Sequence, residues 1–188
     1  MQEYEPYEEQ VKSHCYQLIR EQIESIDPCF VRSIYALSFH GDDEPSITLT
    51  LGYNTLEHLD TCTPPNQDIW CLASDTGEAK WNYAFWLQNV LCVIGEKEKE
   101  SAAQRDKFVA GILPGFDVKQ AFIYLFVRIS RQLHQEGIID SKFGRAIPMI
   151  IHELEYYDQI AHQTSAANPN GIAEEFVEWF YSDAYRQT

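Results

Sequence analysis

Five side chains able to move protons or hold a cation crowd into the stretch IIHELEYYDQIAH: His152, Glu153, Glu155, Asp158 and His162, all within eleven residues. Imidazoles and carboxylates together are the donors of a metal site or the partners of an acid/base catalyst. The spacing favours neither use. On a strand, successive side chains point to opposite faces, so His152 parts from Glu153 and Glu155. Glu153 and Glu155 then share a face, whereas the carboxylate pair of a glycosidase faces itself across the substrate from separate elements. His40 and His58 are lone imidazoles with no nucleophile or orienting acid beside them in sequence. A hydrolase-type cleft that uses His152 or His40 with nearby acids is one alternative these residues leave open, and a structural or assembly protein is the other.

Familiar catalytic signatures are missing from the chain. G-x-G-x-x-G, G-x-x-x-x-G-K-[ST], G-x-S-x-G and H-E-x-x-H do not occur, so dinucleotide, P-loop, esterase and zincin chemistry lose their usual support. No cofactor and no metal is expected, and the reading is that of a protein that is not an enzyme. Two other groups point to binding. In HGDDEPS, Asp42, Asp43 and Glu44 form an anionic spot with no cation beside it in sequence, on a segment suited to a loop. In AKWNYAFWLQN, Trp81 and Trp86 lie five residues apart with Tyr83 and Phe85 between them, an arrangement that serves either a core or an aromatic hot spot for a partner.

The elements that must position these residues follow from hydrophobic periodicity. From Tyr4, the residues Tyr7, Val11, Cys15, Leu18, Ile19, Ile23 and Ile26 recur at three- and four-residue steps, one stripe of a helix that Asp27-Pro28 closes. CFVRSIYALSF is rich in β-branched and aromatic residues, and SITLTLGY alternates, with Ile47, Leu49, Leu51 and Tyr53 opposite Ser46, Thr48 and Thr50. These read as an antiparallel hairpin. Asn54, three residues before Glu57, reads as a capping box opening a short helix over about residues 55 to 60. GEKEKESAAQRDK runs as a charged helix into FVAGIL and stops at Pro114-Gly115. Asp117 then caps a long helix whose Val118, Ala121, Phe122, Leu125, Phe126, Ile129 and Leu133 form a wide face, apolar nearly all round in its middle and so expected to be central. AIPMIIHELEYYD fits a short strand or a helix. Pro148 and the Ile-Ile pair favour a strand over about residues 148 to 155. NPNG is a turn, and Ile172, Phe176, Trp179 and Phe180 line the buried side of a last helix. The order predicts a single α+β domain over residues 1–188, with a small, largely antiparallel sheet covered by helices.

Composition narrows the class. An apolar fraction of 45% with four Trp, eleven Tyr and ten Phe is globular, although 29 acidic against 14 basic residues leave a formal charge of −15. That charge repels phosphate backbones, so no nucleic-acid partner is expected. Lys97, Lys99, Arg105 and Lys107 alternate with Glu96, Glu98, Glu100 and Asp106, which describes a solvated helix face. The start MQEYEPYEEQVKSHC has no signal-peptide pattern and no segment approaches a membrane span, so a cytoplasmic protein without membrane contact is expected. Five cysteines, odd in number and never C-x-x-C, read as reduced thiols packed as small hydrophobes.

Taken together, IYALSFHGDDEPSITLTLGYNT, AKWNYAFW, a long central helix, FGRAIPMIIHELEYYD and a late NPNG before an aromatic helix resemble a bacterial domain-of-unknown-function family. Its pattern is strand, strand, N-T, W-x-x-x-x-W, helix, F-G, strand, N-P, and the likeness spans about Val31 to Trp179. Such small families are similar to immunity-type proteins found beside polymorphic toxins. The resemblance implies a cytoplasmic binding protein more than an enzyme, and it transfers no catalytic residue. With the acidic surplus, the expected partner is a basic protein such as a toxin domain. The partner-binding candidates are Asp42, Asp43, Glu44, Trp81, Trp86, Glu153, Glu155 and Asp158.

Overall fold

The apolar stripe belongs to α1 (Tyr4–Ser25), which lays Val11, Cys15, Ile19 and Ile23 into the main core, with Ile26 joining them just past its end. The computed structural model describes residues 4–42, 47–65, 73–96, 100–112, 117–153 and 158–182, with the backbone alone at 4–7 and 42. Asp27 ends the stripe by capping a single turn, α2 (Pro28–Val31), where its carboxylate accepts from the Cys29 N–H. The segment expected to be strand from Cys29 therefore starts as helix. β1 (Ile34–Asp42) and β2 (Thr48–Thr55) then form the antiparallel hairpin. Leu49 and Leu51 are buried in the main core, with Ile47 and Tyr53 packed beside them, as the alternation predicts.

Thr55 caps α3 (Leu56–Cys62) by accepting from the His58 N–H at 3.2 Å. The cap thus falls one residue after Asn54, because the Asn54 amide is engaged elsewhere. Three further elements of the middle chain were not expected from the sequence: α4 (Thr76–Trp81), a 3-10 turn (Tyr83–Phe85) and β3 (Cys92–Ile94). The charged helix is α5 (Glu100–Gly111), and Asp117 caps α6 (Val118–Gln135) through the Gln120 N–H at 2.9 Å. α6 buries Phe122, Ile123, Leu125, Phe126, Val127, Ile129 and Leu133, so the expectation of a central helix holds. α7 (Ile138–Phe143) lies between Gly137 and Gly144, whose φ values of 71° and 69° favour glycine.

The ambiguous apolar run is a strand, β4 (Met149–His152), followed by α8 (Asp158–Ala167) and α9 (Glu174–Phe180). Among the described residues the four strands form one sheet in the order β3-β2-β1-β4. Two of its three pairings are antiparallel, and β4 runs parallel to β1. One face carries Leu37, Phe39, Leu49, Leu51, Ile94, Met149 and Ile151 against α1, α5, α6 and α7. The other carries Ala36 and Ile150 against Trp81, Trp86, Ile160, Phe176, Trp179 and Phe180. The protein is therefore a helix-rich α+β fold. No described helix is long and apolar enough to cross a membrane.

The outer edge of β4 is closed by side chains rather than by another strand. Asn168 accepts from the Met149 N–H and donates to the Met149 carbonyl, both at 2.8 Å. Thr164 Oγ1 accepts from the Ile151 N–H at 3.2 Å, and Gln163 donates to the Ile151 carbonyl at 3.2 Å. The outward backbone groups of β4 are satisfied this way, which is why Gln163 and Thr164 have no exposed surface.

Candidate functional site

Parallel pairing decides what meets what. With Phe39 opposite Ile151 and His40 opposite His152, β1 and β4 end side by side, and the chain leaves the sheet at Asp42 and at Glu153 on the same side. In sheets with parallel strands the carboxyl ends are where ligands and partners are usually met. The two acid-bearing segments, 110 residues apart in sequence (152 − 42), are thus rooted in adjacent strands.

The root itself is aromatic. His40 is half-buried and stacks on Tyr83, with ring centres 4.4 Å apart and planes 15° from parallel. His152 is fully buried, with Trp86 at 4.9 Å, Tyr83 at 5.0 Å and Phe176 at 6.1 Å. Burial, and secondarily the charge His40 can carry, hold the His152 imidazole well below its ordinary pKa, so it is a neutral core residue. Burial also raises the Tyr83 phenol. Glu153 sits at the strand end, 2% exposed, where Lys119 Nζ approaches within 3.0 Å and Gln163 Nε2 donates at 3.3 Å. An ion pair at that depth orders the strand end, and its carboxylate is already engaged by a cation.

The tryptophans are placed just as clearly. Trp81 and Trp86 are 3% and 4% exposed and bracket Tyr35 edge-on, each with ring centres 5.9 Å away. The indole N–H of Trp86 and the hydroxyl of Tyr35 both donate to the Lys80 carbonyl, at 2.8 and 2.7 Å. Asn54, fully buried, donates to the Tyr35 hydroxyl and accepts from the N–H groups of Thr55 and Leu87. This network fastens the tryptophan segment to the sheet and explains both the N-T pair and the tryptophan spacing as packing.

The remaining sequence candidates divide cleanly. Asp158 is exposed where α8 begins, and His162 is exposed one turn later. Asp42 closes β1 opposite Thr48. Asp43, Glu44 and Glu155 lie outside the described residues. Sequence reasoning missed Lys119 and Gln163, neither of which carries a motif, and it did not join Tyr83 to His40 and His152; only the three-dimensional pairing of β1 with β4 brings them to one place. Among the described residues no group of three or more His, Cys, Asp or Glu is placed to hold a metal ion. The expectation of reduced cysteines fails at Cys62, which is disulfide-bonded, while among the described residues Cys15, Cys29 and Cys92 are free thiols. Burial pushes both Cys15 and Cys92 up to about 12. Comparison with known protein families, characterised proteins and solved structures finds no match.

Proposed function

We propose that the protein is a non-enzymatic binding protein that neutralises a basic partner, of the immunity kind that its resemblance implies, with a toxin domain as the partner. The observation that carries this reading is the parallel pairing of β1 and β4. It roots the Asp42-Asp43-Glu44 segment and the Glu153-to-Asp158 segment side by side in a chain of formal charge −15. Complementary charge of that kind accelerates encounter and discriminates against wrong partners. The docking set comprises Asp42, Asp43, Glu44, Glu155 and Asp158. Glu153 serves as the buried anchor at the end of β4 through Lys119, and Trp81 and Trp86 serve as packing against the same sheet.

The test is kinetic. A basic protein captured from the native cells should associate more slowly as salt rises, since the Debye length falls from about 10 Å at 0.1 M to about 3 Å at 1 M. Replacing Asp42, Asp43, Glu44 and Asp158 by the corresponding amides should lower the on-rate at low salt and leave the off-rate and melting temperature nearly unchanged. Association that ignores both salt and the four changes would refute the acidic docking face.

A further inference from the structure

The turn between α8 and α9 forms a cleft of about 320 Å³ at the opposite end of α8 from Asp158. Asn168 commits its side chain to the β4 edge, and the Pro169 carbonyl accepts from the Ile172 N–H at 3.2 Å as the chain turns into α9. Pro169, Ala173 and Val177 give the cleft apolar walls, and Val177 packs in turn against the cluster that includes Trp81, Trp86 and Phe176. Asn170, Glu174 and Glu178 are exposed and give it a polar rim. Glu174 and Glu178 stand four residues apart on α9 and so share a face. Among the described residues no cation pairs with either carboxylate. The cations nearby are engaged elsewhere: Lys80 holds Glu175 at 2.5 Å, and the Arg131 guanidinium donates to the Ala166 carbonyl at 2.6 and 3.1 Å. Between Arg145 and Arg186 the sequence has no lysine or arginine, so the elements that build the cleft bring no cation of their own.

We propose that this cleft receives one arginine side chain of the basic partner, an inference that rests on the binding role proposed above. Its volume lies at the small end of the range for ligand pockets and suits a single long side chain. Arginine lays its methylene stem along apolar surface while its head stays in water, which matches apolar walls below a carboxylate rim. The guanidinium offers five N–H donors in a rigid fork, so one head can engage Glu174 and Glu178 together and still reach the Asn170 side chain. Lysine carries a compact, strongly hydrated charge and fits a pair of separated acceptors less well. An anion is repelled by the two carboxylates, and a purely apolar side chain would strip water from them without replacing its hydrogen bonds. The apolar walls set this place apart from the rest of an acidic surface, because they select a cation with an aliphatic stem. α8 is 10 residues long, which puts the cleft about 15 Å from Asp158 along the helix, within the reach of one standard-sized interface. A partner docked on the acidic segments can therefore fill the cleft at the same time.

The experiment titrates the full chain with N-acetyl-L-arginine methylamide and with its lysine and norleucine counterparts, followed by NMR at the Gly171 amide and the Ala173 and Val177 methyl groups. The arginine probe should shift all three signals saturably with a Kd on the order of 10 mM or tighter, as expected of one side chain. The lysine probe should bind more weakly, and the norleucine probe should give no saturable shift. Changing Glu174 and Glu178 together to Gln should raise the Kd of the arginine probe about fivefold, since each exposed pair contributes modestly. Glu21→Gln, an exposed change of the same kind on α1, should leave the Kd where it was. Absence of saturable shifts with the arginine probe overturns the proposal whether or not any variant folds. So does a lysine or norleucine probe that matches it, a folded double variant that binds as the native chain does, or an equal loss in Glu21→Gln, which would mean attraction to net charge alone. Because no partner protein is present, failure here removes the arginine cleft, while the salt and amide test above decides the docking face separately.

Discussion

Asn168→Ala tests the closure of β4 most directly. The Asn168 side chain, 7% exposed, makes four hydrogen bonds: from the Met149 N–H at 2.8 Å, to the Met149 carbonyl at 2.8 Å, to the Thr164 carbonyl at 2.8 Å, and from His134 Nε2 at 3.1 Å. Met149 points both backbone groups away from β1, because the ladder bond on that side runs from the Leu37 N–H to the Pro148 carbonyl. Truncation therefore orphans a buried N–H and a buried carbonyl at about 1–3 kcal/mol each, softened where water enters the space vacated. The expected loss is about 3 kcal/mol, or roughly 6–12 °C in melting temperature for a chain of this size. Urea unfolding with the slope m unchanged gives the value, and amide exchange at Met149 should accelerate well beyond its neighbours. Asn170→Ala, two residues on and exposed, is the control and should stay within about 0.5 kcal/mol. A loss under about 1 kcal/mol for Asn168→Ala would refute the claim that this amide substitutes for a neighbouring strand.

Further outcomes follow from other contacts. His152 is held neutral in the fold, so the unfolded chain takes up the proton first; stability should be level above about 6.5 and fall as pH drops below it. His152→Gln should flatten that slope in pH-dependent urea titrations. Leu49→Asp should destabilise by several kcal/mol more than Thr48→Asp, since Leu49 is 1% exposed and Thr48 half-buried; equal melting temperatures would overturn the assigned faces. Gly52→Ala would place a methyl group 2.6 Å from the Asn89 carbonyl oxygen, in the segment whose Asn89 side chain accepts from the Tyr53 N–H. A loss of about 1–3 kcal/mol on thermal unfolding is expected. Trp86→Ala should cost about 3–5 kcal/mol in the same measurement.

Legibility tracked periodicity. α1, α6 and α9 carry apolar stripes at helical spacing and β2 alternates, so each could be drawn from the residues alone. β3 spans three residues and is too short to show any period. α8 was invisible because DQIAHQTSAA looks like a solvated stretch, yet Gln163 and Thr164 are buried in the service of the β4 edge. Asn168 read as the first residue of a turn, since nothing local distinguishes a turn asparagine from one that completes a ladder. Both acidic segments are visible in sequence, but the pairing of the strands that lead into them is not, because PMIIH does not reveal which strand it will pair with. The tryptophans were named for their size, and their enclosure depends on Tyr35 and Asn54 from elements far away in sequence.

The partnership of β1 with β4 also has a temporal side. Phe39 waits for Ile151, 112 residues later (151 − 39), before that flank is covered. At ribosomal rates of 5–20 residues per second the interval is on the order of ten seconds, far longer than a hairpin needs to form. Throughout it the nascent hairpin offers one bare, strongly apolar flank on which another chain could template. Only when Asn168 has emerged is the late-arriving strand itself sealed, so a nascent chain stalled between Thr55 and Asn168 should be the species most in need of a chaperone.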